Sequence, residues 1–214
     1  RLAAAVHGAI ATTVDASGNG YLSEYQGCVV SKVTAGGTVS HLVGTGTCTH
    51  APGTGAAAGF DTPIGVEFRT ATQLLVCENY GGYLRTVNTA DGSTAVVAGT
   101  SVRGFLDGPA GTSKVHHPHS VAVDSSGIAF YTDDTYHAVR KLDTSSVTTT
   151  IAGTGASGNS DNVIGIWAEF NRPSGIEVDS SGNLFVIDRN NAALRLVAPD
   201  GVVTTLLPTG TLTT

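Results

Sequence analysis

Asn171-Arg172-Pro173-Ser174-Gly175-Ile176-Glu177-Val178-Asp179, then Ser180-Ser181-Gly182-Asn183, then Leu184-Phe185-Val186-Ile187-Asp188 is the stretch whose reading decides the fold. It continues through Arg189-Asn190-Asn191 into Ala192-Ala193-Leu194-Arg195-Leu196-Val197, and through Ala198-Pro199-Asp200-Gly201 into Val202-Val203-Thr204-Thr205-Leu206-Leu207. Four short runs of β-type residues are separated by clusters of Gly, Asn, Asp, Ser and Pro. That pattern predicts a four-stranded antiparallel meander.

The unit recurs at a fixed period. Pro63, Pro118 and Pro173 are spaced 55 residues apart, as are Arg85, Arg140 and Arg195. Four strands per copy at this period predict propeller blades, because a lone meander cannot bury both faces and stacks on its neighbours. The expected blades are residues 7–60, 61–115, 116–170 and 171–207, with a tail at 208–214, all within one array spanning 1–214. Cys77, Thr132 and Ile187 fall at one repeat position on inner strands. Ser31 stands where the other copies carry Arg, and Arg69 stands where they carry Asp.

Pro-x-Gly-Ile-x-Val-Asp, Gly-Asn-Leu-Phe-Val-Ile-Asp and an Arg on the third strand together resemble the NHL repeat. So does the link from Ala152-Gly153-Thr154-Gly155 through Ala168-Glu169-Phe170 to Pro173. The resemblance covers the whole chain, is strongest in the last two copies and is worn in the first. It implies an all-β propeller. NHL propellers typically close with six blades, so the four seen here are expected to be part of a larger propeller or assembly. The family hosts binding modules, sensors and a few enzymes, and therefore implies function only loosely.

The 214 residues are 41% hydrophobic, enough for a substantial core, and 28 Gly fit a turn-rich fold. The chain lacks Met and begins at Arg1, which reads as a processed or partial chain. No apolar run approaches the ~18 residues of a membrane-spanning helix. Net charge is −6 and no basic stripe exists, which argues against nucleic-acid binding. The Thr148-Thr149-Thr150 run and the Thr209–Thr214 tail are read as exposed β-branched positions or as acceptors of O-linked sugar.

The acid–arginine spacing Glu78/Arg85, Asp133/Arg140 and Asp188/Arg195 repeats in three copies. Chemistry is needed once and structure in every blade, so these are read as structural ion pairs; Glu24 lacks its Arg. Asp124 and Asp179 are expected to cap turns. Phe60, Val115 and Phe170 precede the prolines and are expected to plug the crevices between blades. Trp167 is either a plug within its link or an interface residue. His116, His117 and His119 form a local cluster with ligand chemistry for Zn or Cu. In amidating lyases, a related propeller, metal-binding His come from different blades; here the equivalent positions are Asp61-Thr62 and Asn171-Arg172. The cluster is therefore weighed as exposed loop histidines, and no cofactor is expected. A hairpin centred near Gly36 brings Cys28 within reach of Cys48, so this disulfide is expected, with Cys77 a buried thiol. Three reduced cysteines in a cytosolic protein are the alternative.

These features point to a non-enzymatic structural or protein-interaction module, extracellular or at the cell surface, as in a coat or fibril subunit. The expected partners are further blades or neighbouring subunits. A metal-dependent lyase- or lactonase-like enzyme and a ligand-sensing ectodomain are the rival readings.

Overall fold

A computed structural model describes residues 6–207. The first sheet comprises β1 (Ala9–Val14), β2 (Gly20–Glu24), β3 (Val29–Val33) and β4 (Val39–Val43). The second comprises β5 (Pro63–Thr70), β6 (Gln73–Glu78), β7 (Tyr83–Asn88) and β8 (Thr94–Ala98). The two-residue β9 (Gly108–Pro109) lies in the next link, before β10 (Pro118–Val123), β11 (Ala129–Asp133), β12 (Ala138–Leu142) and β13 (Val147–Ala152). The last sheet is β14 (Pro173–Val178), β15 (Leu184–Asp188), β16 (Ala193–Val197) and β17 (Val203–Leu207). The four main strands of each sheet form an antiparallel meander in chain order, and the helical structure among the described residues is confined to short 3-10 turns.

The third sheet differs from expectation. β9 pairs with β13 through Val147–Pro109 and Thr148–Gly108, adding a fifth strand. Thr148 is fully buried and Thr149 and Thr150 are half-buried, so the Thr148–Thr150 run is not exposed as expected. The Thr209–Thr214 tail lies outside the described residues.

Turn chemistry sets the strand lengths. The Asp179 carboxylate accepts the Ser181 and Asn183 amides, each at 2.8 Å, and Asp124 accepts those of Ser126 and Ile128. Gly182 and Gly127 complete these turns at φ 83° and 80°, a region that L side chains avoid. The Asn183 side chain and amide hold the Asp179 carboxyl below the usual aspartate range. In the second sheet this turn is absent and β5 runs on to Thr70. Arg69 is thereby free to cross the seam, donating to the Gly127 and Asp143 carbonyls of the third sheet at 3.3 and 2.6 Å.

The first strands pack in chain order, β1 on β5, β5 on β10 and β10 on β14. Three apolar clusters fill the seams. Tyr21, Val30, Phe60 and Leu74 lie in the first, Leu75, Leu84, Val115 and Tyr131 in the second, and Val139, Phe170, Leu184 and Val186 in the third. The three link anchors Phe60, Val115 and Phe170 are fully buried. Trp167 is 59% exposed on a 3-10 turn, while Ala168 and Phe170 fill the crevice beside it.

Cys28 and Cys48 form a disulfide with Cα atoms 5.1 Å apart, and Cys77 is a buried free thiol pushed far up in pKa by burial. The bridge ties the β2–β3 turn to the link that carries Phe60. Closing a loop of this size restricts the unfolded chain by about 3 kcal/mol. Reduction is expected to lower the urea midpoint accordingly, and an unchanged midpoint after verified reduction would contradict this.

Candidate functional site

The repeated acid divides its two oxygens between two tasks. In the fourth sheet, Asp188 Oδ1 accepts the Asn171 amide at 2.7 Å, where the chain enters the blade, and Oδ2 accepts Arg195 Nη1 at 2.8 Å. Arg195 also donates to the Glu169 and Ser160 carbonyls and to Asp161, all in the preceding link. Its guanidinium lies 4.8 Å from the centre of the Phe170 ring. In the second sheet Glu78 binds the Asp61 amide and Arg85; Arg85 binds the Gly59 and Ala51 carbonyls and lies 4.3 Å from the Phe60 ring. These arginines clamp each incoming link against its own blade.

The third sheet corrects the expected Asp133–Arg140 pair. Arg140 binds Asp107 at 2.8 Å together with the Lys114 and Leu106 carbonyls. Asp133 is occupied by four amides, those of His116, His117, Thr135 and Tyr136. With its oxygens taken by backbone donors, it leaves the guanidinium to the link's own carboxylate. Burial pushes the Asp107 carboxyl up, but the Thr150 amide and Arg140 outweigh it and hold the group below the usual range.

The histidine cluster lies at the loop end of the third sheet. The His116 and His117 rings meet edge to face at 4.4 Å. Arg103 donates to His117 Nε2 at 3.2 Å; because arginine cannot accept, Nε2 is the bare nitrogen and Nδ1 carries the proton shared with Thr135 at 2.6 Å. The lone pair a metal would need is therefore taken. Burial lowers the pKa of both His117 and His119. Buried Asp134 lies 3.5 Å from His117 Nδ1 and binds Arg172 and Arg189 at 2.9 and 3.5 Å. Among the described residues no group of three or more His, Cys, Asp or Glu is arranged to hold a metal. Asp134 and its arginines escaped the repeat reading because their counterparts, Asn79 and Arg189, differ in kind from blade to blade.

The faces of the end blades are the remaining surface. Ser23, Cys77 and Thr132 occupy one repeat position and are fully buried against the following blade, whereas the fourth member, Ile187, is 47% exposed. Val43, Ala98 and Ala152 are likewise buried, and their counterpart Leu207 is 51% exposed. Leu194, paired with both, and Phe185 extend this face. At the opposite end Ile10 and Val14 are exposed on β1.

The NHL repeat family model matches residues 170–195, from the anchor Phe170 to the clamp Arg195. The chain carries an NHL repeat. It is 27% identical over 164 residues to human (Homo sapiens) NHL repeat-containing protein 2, covering 71% of this chain and 23% of that protein. Among solved structures it resembles an auxiliary nutrient binding protein from Bacteroides thetaiotaomicron, with a TM-score of 0.70 and 18% identity over 89% of this chain and 46% of that one. It also resembles virginiamycin B lyase from Staphylococcus aureus, with a TM-score of 0.62 and 13% identity over 93% of this chain and 55% of that one. The chain thus spans about half of these propeller-like structures and less than a quarter of the human relative. At such identities the structural likeness shows the fold alone.

Proposed function

We propose that this chain is a non-enzymatic interaction module whose end blades dock on further NHL blades. The observation that carries this reading is the apolar face of the fourth sheet, where Ile187 and Leu207 are exposed beside half-buried Leu194 and Phe185, while the positions of Ile187, Leu194 and Leu207 are buried in the preceding sheets. A terminal repeat facing water normally has a polar outer side. That the chain matches about half of larger propeller-like structures supports a blade of the same kind as occupant. The Cys28–Cys48 disulfide supports an oxidising compartment, extracellular or at the cell surface. Against an enzymatic reading, Asp134 is held by two guanidiniums and His117 by Arg103.

Without another blade, the chain is expected to self-associate through this face at micromolar concentration in sedimentation velocity. Ile187→Lys places an unpaired charge in the contact and is expected to weaken association by two orders of magnitude or more. A monodisperse wild-type monomer at tens of micromolar would sink the proposal.

A further inference from the structure

The first sheet holds the acid of the clamp without its arginine. Glu24 is fully buried and occupies the position of Glu78 and Asp188. Its Oε2 accepts the His7 amide at 2.7 Å, as Glu78 accepts that of Asp61. Its Oε1, the oxygen that binds Arg85 in the second sheet, accepts the Ser31 hydroxyl instead. Ser31 Oγ lies 2.9 Å from His41 Nδ1, and His41 Nδ1 is 3.9 Å from Glu24. Ser31, fully buried and donating to the acid rather than to the imidazole, is not arranged as a nucleophile. A cleft of about 480 Å³ opens beside it, lined by His7, Glu24, Gln26, Val29, His41 and Gly44.

We propose that this cleft is a guanidinium-binding slot, filled by an arginine side chain supplied from outside the blade. A buried carboxylate retains its charge when it is paired. In both the second and the fourth sheets this acid position takes an arginine, Glu78 also meeting His50 Nδ1 at 2.9 Å through its other oxygen, and the planar fork of arginine suits the acid better than an ammonium. Ser31 leaves this acid without a guanidinium from its own blade; the cleft is a feature of the fold rather than the vacated volume, since one of about 440 Å³ lies at the equivalent place beside Arg195 in the fourth sheet. The slot therefore accepts what its sister sites carry covalently. That a segment docked on the first blade delivers the arginine rests on the interaction reading above; the slot's affinity for a guanidinium does not.

The test uses the whole chain and N-acetyl-arginine amide, followed through the His41 ring resonances. Saturable binding is expected at about 1–10 mM, as for a single charged contact. The capped citrulline analogue, equal in shape but uncharged, is expected not to bind. Glu24→Gln should weaken binding at least about tenfold. Ser31→Arg should abolish it by pairing the acid from within, and this second variant decides the matter if Glu24→Gln fails to fold. No saturable shift, equal binding of citrulline or of capped lysine, or undiminished binding by Ser31→Arg each overturns the proposal. Sedimentation of the same variants reads the docking reading separately: self-association with no arginine binding leaves that reading intact while rejecting the slot.

Discussion

Arg195→Ala is expected to destabilise the chain by about 3–5 kcal/mol, because it strands the buried Asp188 carboxylate without its counter-charge. The carbonyls of Glu169 and Ser160 lose their donor in the same step. For a domain of this size the fall in Tm is on the order of 10 °C. Arg85→Ala should cost somewhat less, because the equally buried Glu78 keeps its contact with His50 Nδ1 at 2.9 Å. Arg140→Ala should cost less, because its partner Asp107 is partly exposed and can be rehydrated. Urea denaturation of the three variants measures the order. A loss below about 1 kcal/mol for Arg195→Ala would show that the pair is dispensable.

Phe60→Ala is expected to cost about 3–5 kcal/mol through the cavity it leaves between the first two sheets. The ring also supports the Arg85 guanidinium. The double variant Phe60→Ala/Arg85→Ala should therefore fall short of the sum of the single losses by about 0.5–3 kcal/mol. Strict additivity would reject the idea that ring and guanidinium act as one clamp.

Much of this architecture was legible in the residues because a 55-residue period repeats strand, turn and anchor together. The strands of the fourth sheet, the buried anchors and the Cys28–Cys48 pairing were accessible from local spacing. The partner of Arg140 was not. Spacing places Asp133 seven residues from Arg140, as Asp188 is from Arg195, but cannot show that Asp133 is occupied by four amides. The added strand at Gly108–Pro109 was hidden because two residues of Gly and Pro read as a turn. Arg69 looked like a lost turn cap; its role appears only when the neighbouring blade supplies the Gly127 and Asp143 carbonyls. Ser31 looked like decay of a motif, and only the buried Glu24 beside it gives the change a chemical meaning.

The clamp also imposes an order in time. Ser160, Asp161, Glu169 and Asp188 all precede Arg195 in the chain, and Ala51, Gly59 and Glu78 precede Arg85. On a chain emerging from the ribosome, N-terminal end first, link and acid leave before the guanidinium that binds them. Each link therefore waits unlatched for the third strand of its blade, and the arginine closes it behind the advancing chain. A latched blade presents a finished wall to the next.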